Sequence, residues 1–445
     1  MKRGLLQFGL MLVTTLAMAQ AGHIMQGVGA VNMSMGGAST AQPIDISGAI
    51  QWNPASISVF DENILKFDIG VFFATPELSS SFGPFSGTTV DDRASSPMPA
   101  VAFLWGKEDS RHTFAASAFG ISGFGVTFPE DGNYPQDLQG NPNPEYDPNM
   151  PSNPINFPQH AGGFGRIESS YLLLQVGFTY AYELSDKFSI GVQPTFNYST
   201  LELIPNPTAN PTQAGYPSAE KATAVGFGAQ FGVFFDSGKG IKAGVSYKTE
   251  QSLGDFEFDN VYLDNTTGTN NFKMNYPSIL SVGLGYSKGK FDVALDYRFV
   301  DYENTDGFAA SGWTQTASVA GFGWESMSII SAGIQFKGIN RLPLRIGYTY
   351  STNPIPNELA FFNVSATAVI ENAFQFGLSY EISDQVTIDG LYHYGTSGGA
   401  TEGQLLNPGY ISPDDPLGKV PDSSVSYEMT TSLISVGVSW RLTKK

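Results

Sequence analysis

Residues 430–442 alternate strictly between two kinds of side chain, and this alternation constrains the fold more than any other feature of the chain. One side carries Ile434, Val436, Val438, Trp440 and Leu442, while the residues between them are mostly small or polar. Successive side chains of a β-strand point to opposite faces, so the segment predicts a strand with one apolar face and one polar face. A barrel with lipid outside and a polar lumen inside requires this pattern in every strand.

The same period of two predicts about fourteen strands. They centre on residues 65–73, 101–105, 113–126, 172–182, 188–198, 225–235, 241–247, 280–286, 291–299, 330–336, 344–350, 374–380, 386–394 and 430–442. Short turns alternate with long connections at residues 75–99, 127–167, 205–221, 256–273, 301–325, 351–369 and 395–429. Short periplasmic turns with long external loops are typical of bacterial barrels, so the fold class predicted is all-β, a transmembrane antiparallel β-barrel. The Pro- and Asn-rich residues 127–167 are predicted to be either a mobile external loop or a lid.

Composition and motifs exclude most other functions. The chain has no cysteine, which removes disulfides, thiolate metal sites and cysteine nucleophiles. Its formal charge of −18 argues against a nucleic-acid partner, and solvated loops explain that charge better than a cation site. The four histidines show no metal-ligand spacing, and neither a nucleophile elbow nor a phosphate-binding loop occurs. We therefore predict no enzyme activity, no cofactor and no metal.

The N-terminus predicts export. Lys2 and Arg3 precede an apolar run at residues 5–18, and Ala17 and Ala19 form a small-x-small cleavage site. Residues 1–19 are therefore predicted to be a signal peptide; the alternative, a membrane anchor, needs a run of about 20 apolar residues. No later segment is long and apolar enough for a transmembrane helix. Export of a chain made of such strands predicts the bacterial outer membrane.

Residues 20–62 do not alternate and are rich in Gly, Ser, Ala and Met. A barrel of fourteen strands encloses a lumen too wide for side chains alone to fill. We predict that residues 20–62, the plug segment, pack inside a barrel formed by residues 63–445.

Three parts of the plug segment carry a resemblance to a known family. Residues 31–41, Asp45 and residues 49–56 resemble the N-terminal hatch of the FadL/TodX family, outer-membrane transporters of long-chain fatty acids and aromatic hydrocarbons. The resemblance implies a monomeric, plugged barrel without an energy source, which takes up a hydrophobic ligand from outside. It also implies hatch or gating roles for Gly36, Gly37, Asp45, Asn53, Pro54 and Ala55.

The resemblance further implies that ligand leaves sideways, through a gap made by a kink in the third strand. Gly120, Gly123 and Gly125 lie in that strand, and glycine marks bulges and bends. The alternative is ordinary glycine in a Gly-rich barrel.

Polar side chains predicted to face the lumen include Lys248, Arg298, Arg345 and His393. They are candidates for a ligand headgroup site, and the alternative is ion pairs that fill the barrel. The expected partners are a hydrophobic ligand (fatty acid, alkane or monoaromatic compound), outer-membrane lipid and lipopolysaccharide. Rival functions are a general porin, a barrel that serves protein secretion or surface attachment, and an outer-membrane lipase.

Overall fold

The structure is a computed structural model that describes residues 20–106, 110–367 and 369–442. The predicted signal peptide at residues 1–19 lies outside the described residues. Within the described part, no helix combines the length and the apolar composition needed to cross a membrane.

Fourteen antiparallel strands pair with their neighbours in chain order, and the last pairs with the first, which closes the sheet into a barrel. Strands β1 to β14 are Asn63–Phe82, Ser96–Trp105, His112–Phe128, Ile167–Ser185, Phe188–Ile204, Ala222–Asp236, Ile241–Lys248, Ser278–Lys288, Phe291–Asp301, Met327–Phe336, Leu344–Ser351, Asn372–Glu381, Val386–Thr396 and Ser423–Leu442. The predicted all-β barrel of about fourteen strands is confirmed.

Strand β9 shows how the alternation places side chains. Its exposed residues are Phe291, Val293, Leu295, Tyr297 and Phe299. The residues between them are buried and include Asp292, Asp296 and Arg298. The apolar set faces outward and the polar set faces the bore, as lipid outside and polar groups inside require.

Two predicted long connections are partly wrong, because the barrel sheet extends beyond its apolar belt. Strand β1 continues to Phe82 and forms a hairpin with Phe85–Val90, within residues 75–99. Strand β14 begins at Ser423, within residues 395–429. Serine and threonine are frequent in these extensions, and their apolar residues Leu78, Val425 and Tyr427 are buried rather than facing outward, so the outward apolar row of the belt is absent.

Apart from the hairpin strand Phe85–Val90, the helices and strands outside the fourteen-strand barrel and the plug segment are short. They are the strands Ser218–Ala219, Ser252–Leu253, Phe256–Val261, Thr267–Phe272 and Thr401–Gly403, and the 3-10 helices Pro154–Asn156, Gln159–Ala161, Asn357–Asn363 and Pro408–Tyr410. Two of these 3-10 helices lie in residues 127–167, where proline and asparagine prevent longer elements.

The plug segment contains two-residue strands at Gln20–Ala21 and Ile24–Met25, helices α1 (Gly29–Ser34) and α2 (Ile46–Trp52), and a 3-10 helix at Pro54–Val59. The Asp45 side chain accepts a hydrogen bond from Gly48 N and so caps α2. Between residues 22 and 58, only Gly29 and Ile44 are not buried. The segment packs against inward-facing barrel residues and occupies the bore.

Candidate functional site

Two aspartates on the barrel wall accept hydrogen bonds from the backbone of the plug segment. Asp68 of β1 accepts from Ala30 N at 2.9 Å, at the start of α1. Asp296 of β9 accepts from Ser39 N at 2.8 Å, and from Thr40 N at 2.9 Å and Thr40 Oγ1 at 2.8 Å. These are charge-assisted bonds in a buried setting, so they fasten the plug segment to the wall strongly.

A buried ion-pair network joins α2 to the wall. Lys66 Nζ lies 2.8 Å from Asp45 Oδ2 and 3.2 Å from Asp389 Oδ2. Ser379 Oγ donates to Asp389, and Arg345 Nη2 donates to Ser379 Oγ at 2.8 Å. Asp45 therefore has two functions: it caps α2 and pairs with the barrel.

The other predicted hatch residues also lie against the wall. Asn53 Nδ2 donates to Thr40 O at 2.8 Å and to Val233 O of β6 at 3.1 Å. Asn53 Oδ1 accepts from Ala55 N at 3.1 Å, which starts the 3-10 helix that begins at Pro54. The structure thus brings Asn53, Pro54 and Ala55 together at the β6 wall.

Gly36 and Gly37 contact another part of the wall, at β11 and β9. Gly36 O accepts from Thr349 Oγ1 at 2.9 Å, and Gly37 O accepts from Arg298 Nη2 at 2.7 Å. Both glycines have positive φ, at 68° and 76°, which only glycine adopts without strain. The turn at Met35, Gly36 and Gly37 (the Met-Gly-Gly turn) is therefore held by barrel side chains of β9 and β11.

Glycines of the wall, which the sequence analysis did not single out, let the plug backbone approach the sheet. A Cβ at Gly244 would lie 2.1 Å from Thr40 O, and one at Gly347 would lie 2.1 Å from Gly36 N. Gly191 and Gly333 meet the plug backbone in the same way. The sequence does contain a signal for these contacts, because glycine at an inward-facing strand position marks the close approach of another backbone.

Strand β3 separates from β2 halfway along its length but stays paired with β4. Its ladder with β2 ends at the pair Ala100–Phe119, and its register against β4 shifts between Gly120 and Ser122. Beyond the shift, Ser122 pairs with Ile24 of the plug segment. Of the three glycines predicted to form a kink, Gly120 lies at the shift, Gly123 donates to His23 O at 3.1 Å, and Gly125 lies just beyond.

Two prolines lie in the part of β2 that has no pairing partner on β3. Pro97 and Pro99 lack an N–H, yet the β1–β2 ladder runs through both. Their nitrogens therefore face away from β1 and toward β3, where they offer no donor. A cavity of about 50 Å³ opens here, lined by mainly apolar residues that include Met25, Met98 and Leu172.

Residues 91–93 cover the outer end of the detached half of β3. Thr127 N donates to the Asp91 carboxylate, and Asp92 N donates to Thr127 O at 2.9 Å. Arg93 Nη1 donates to Ser169 O of β4 at 2.6 Å. Gly125 makes room for this guanidinium, because a Cβ there would lie 2.5 Å from Arg93 Nη1.

Docking of residues 91–93 is expected to depend on pH. Burial raises the pKa of the Asp91 carboxyl to about 6, against the opposing effect of its bond from Thr127 N. Because the docked state binds the proton more readily, docking is strongest below the ordinary pKa of about 4 and weakens as pH rises through 6. Hydrogen exchange at residues 91–93, corrected for intrinsic rates, should show less protection at about pH 7.5 than at about pH 5.

An Asp91→Asn variant is the control for this pH dependence, since it keeps the shape of the side chain and cannot titrate. Its protection should be the same at both pH values. Equal protection in the wild type would contradict the assignment to Asp91.

The four predicted lumen candidates are all buried, but no two of them share a hydrogen-bond partner within the described chain. Arg298 Nη2 lies 2.8 Å from Asp296 Oδ2, and its guanidinium carbon lies 3.6 Å from the ring centroid of Trp52. Arg345 Nε donates to Gln335 Oε1 at 2.7 Å. Both arginines are thus engaged in holding the plug segment or the wall.

Lys248 and His393 have fewer partners. Lys248 Nζ donates to Gln175 Oε1 at 3.1 Å, and no carboxylate of the described residues lies within 4.0 Å of it. His393 Nδ1 lies 3.2 Å from Gln375 Nε2, while its Nε2 has no partner among those residues. In the same part of the chain, no group of three or more His, Asp or Glu side chains is arranged to hold a metal ion.

A closed antiparallel barrel with an apolar outer face, and with its own N-terminal segment packed in the bore, defines a plugged membrane channel. The family model described as "Outer membrane protein transport protein (OMPP1/FadL/TodX)" matches residues 158–402, more than half of the 445 residues. The chain therefore belongs to this family of bacterial outer-membrane transport proteins.

Solved structures share the fold across nearly the whole chain. The toluene transporter TodX of P. putida is 16% identical with a TM-score of 0.66, and covers 94% of this chain and 100% of its own. A FadL homologue of Pseudomonas aeruginosa is 12% identical with a TM-score of 0.69, and covers 95% and 100%. The toluene transporter TbuX of Ralstonia pickettii is 17% identical with a TM-score of 0.61, and covers 94% and 99%. No curated protein sequence matches the chain.

Proposed function

We propose that the protein carries hydrophobic small molecules passively across the outer membrane, and that ligand leaves the bore sideways beside β3. Export follows cleavage of residues 1–19, residues 20–62 act as the gating hatch, and residues 63–445 form a monomeric barrel in contact with lipid and lipopolysaccharide. The observation that carries the proposal is the separation of β3 from β2 opposite Pro97 and Pro99, beside an apolar cavity.

Lateral exit suits a hydrophobic solute for a physical reason. Transfer from an apolar cavity into the bilayer avoids re-exposure to water, which costs about 25 cal/mol per Å² of apolar surface. The cavity is lined on the plug side by Met25, Val28 and Met33, and on the wall side by Met98 and Leu174. Methionine adapts to ligands of different shapes, so this lining favours a range of hydrophobic compounds.

A second apolar cavity supports capture from outside. It has a volume of about 30 Å³ and lies between four external loops, with Phe164, Pro205, Val319 and Phe361 among its lining residues. Aromatic and proline side chains present rigid apolar surface at a low cost in conformational entropy. We assign it to the first contact with ligand.

A polar ligand end requires a partner in the bore. Lys248 is the best candidate of the four predicted, because it is buried, makes one hydrogen bond to Gln175 and has no carboxylate partner in the described residues. It would fix a carboxylate, which suits a fatty acid. The relatives described as toluene transporters favour an aromatic hydrocarbon instead.

Blocking the lateral gap tests the proposal directly. Gly120 lies at the gap on the outward face of β3, so Gly120→Trp should fill the opening with an indole ring. We expect initial uptake of toluene or a long-chain fatty acid by outer-membrane vesicles to fall by about tenfold, a barrier increase of about 1.4 kcal/mol.

Ala118→Trp is the matched control, because Ala118 lies two residues away on the same face, where β2 and β3 are still paired. It should leave uptake unchanged. If Gly120→Trp and Ala118→Trp took up ligand at the same rate, lateral exit would be overturned. Steady single-channel current in the wild-type protein, with free passage of polar solutes, would favour the general porin.

A further inference from the structure

A polar cavity opens at the end of the barrel that carries the short turns, on the far side of the plug segment from the external loops. Its volume is about 510 Å³, and it is lined by strands β1 and β10 to β14 on one side and by the plug segment on the other. Lys337 and Arg441 at its rim are about half exposed. Short turns of bacterial barrels lie in the periplasm, so this periplasmic cavity is open to periplasmic solutes.

The two sides of the periplasmic cavity differ in chemistry. The plug side is mainly apolar and includes Ile44, Ile46, Val59 and Phe60. The barrel side carries charged groups together with the amide and hydroxyl groups of Gln335, Ser379, Thr387 and Ser439. A solute that fills the cavity must therefore combine an apolar part with hydrogen-bonding or charged groups.

Most of the charged groups that line the cavity already have a partner. The ion pairs join Lys66 with Asp45 and Asp389, Lys337 with Asp292, and Arg441 with Glu62. Asp61 also has a partner. These groups compensate one another and do not require a ligand.

Arg345 and Glu381 line the same cavity and are not fully satisfied. Arg345 donates from Nε to Gln335 and from Nη2 to Ser379, but its Nη1 is buried without a hydrogen-bond partner among the described residues. The Glu381 carboxylate takes part in no ion pair or hydrogen bond within the same part of the chain. An unpaired guanidinium nitrogen in a buried setting is costly, and a carboxylate is the acceptor that suits it best.

The strand geometry sets the separation of these two groups. Arg345 Nη2 donates to Ser379 Oγ at 2.8 Å, and Glu381 is the next inward residue of β12, about 7 Å further along the strand. The amino nitrogen and the carboxyl carbon of an α-amino acid are about 2.5 Å apart. A hydrogen bond of about 2.9 Å at each end extends this reach to about 8 Å. One amino-acid zwitterion can thus bridge Arg345 and Glu381.

We propose that the periplasmic cavity binds a free α-amino acid with an apolar side chain. The ligand carboxylate accepts from Arg345 Nη1, and the ligand ammonium group donates to Glu381. The apolar side chain lies against Ile46 and Phe60 of the plug segment. Because the ligand contacts the barrel and the plug segment together, its binding favours the seated plug. The site is separate from the path proposed for hydrophobic solutes, so the inference does not depend on that function.

Calorimetric titration of the full-length protein in detergent with L-leucine tests the site. Glu381→Gln keeps the shape of the side chain but removes its charge, so leucine binding should weaken about tenfold. N-acetyl-leucine lacks the ammonium group, so its weaker binding should be the same in the wild type and in Glu381→Gln. Asp384→Asn is the matched control, because Asp384 lies in the adjoining turn with a 98% exposed side chain. It should leave leucine binding unchanged.

The other end of the ligand has its own test. Arg345→Lys keeps a positive charge but removes the guanidinium fork, so leucine should bind about tenfold more weakly, while leucine amide, which lacks the carboxylate, should be unaffected. Glycine and leucylglycine should each bind about tenfold more weakly than leucine to the wild type, because the first lacks an apolar side chain and the second has its charged ends too far apart. Hydrogen exchange at residues 46–60 should slow when leucine is bound.

Absence of leucine binding to a wild-type barrel whose heat-dependent gel mobility shows that it is folded would overturn the inference. So would equal leucine affinity in the wild type and Glu381→Gln. Glycine binding as tight as leucine would refute the contact with Ile46 and Phe60, and leucylglycine binding as tight as leucine would refute the free amino acid. Loss of toluene uptake with leucine binding intact would refute the transport proposal and leave this site supported.

Discussion

A Gly37→Ala variant is expected to form a conducting pore, because its plug segment cannot take up the position seen here. Gly37 has φ of 76°, and a Cβ at this position would lie 1.8 Å from the backbone carbonyl oxygen of Gln26. The left-handed conformation alone costs a non-glycine residue about 1–2 kcal/mol, and contact with a backbone atom cannot be relieved by side-chain rotation. The Met-Gly-Gly turn, which Arg298 and Thr349 hold against the wall, should therefore be displaced.

Single-channel recording in planar bilayers measures this effect. The wild type should show little steady current, and Gly37→Ala should show a sustained conductance. Gly132→Ala is the control, because a Cβ at that external glycine meets no atom within 4 Å. If Gly37→Ala barrels carried no steady current, the plug segment would still fill the bore with alanine at this position. That result would contradict the close contact between residue 37 and the Gln26 backbone.

Lys66→Ala should cause the largest loss of stability among single changes in the bore. Without the ammonium group, Asp45 and Asp389 would face each other in a buried site, near Asp68. Breaking a buried ion pair by removing one partner costs about 3–5 kcal/mol, because the remaining charge has no compensation. The free energy of unfolding, measured by urea titration in detergent, should fall by that amount.

Lys337→Ala provides the comparison. Lys337 Nζ lies 2.8 Å from Asp292 Oδ2, but its side chain is 42% exposed, so the change should cost less than about 1 kcal/mol. If the two variants were equally stable, the buried network around Lys66 would not hold α2 to the wall. If Lys66→Ala kept the free energy of unfolding of the wild type but carried a steady current, Lys66 would act in gating alone.

The strands were predictable because lipid imposes a local rule. Every outward residue of β9 from Phe291 to Phe299 is apolar, while three of the four residues between them are charged, so period two alone located all fourteen strands. The extensions at Phe85–Val90 and before residue 430 were missed because that rule applies only within the apolar belt. Beyond it, the outward face is mostly polar and apolar side chains such as Leu78 and Tyr427 are buried, so the outward apolar row that marks the strands is absent.

The sequence predicts that a plug segment exists, but it does not predict which barrel residues that segment contacts. Its resemblance to the hatch of the family pointed to Gly36, Gly37, Asp45 and Asn53, and the structure places all four against the wall. Alternation along β1 and β9 predicts only that Asp68 and Asp296 face the bore. Their role as acceptors for plug N–H groups depends on which strand lies opposite which turn.

The amino-acid sequence by itself determined the barrel, its strand positions and the presence of a separate leading segment, since each follows from residues close together in the chain. Only the tertiary structure decided which groups meet across the bore. His23 and Tyr302 are 279 residues apart in sequence and 2.7 Å apart in space. Ring closure brings such pairs together, and no periodicity along a single strand encodes them.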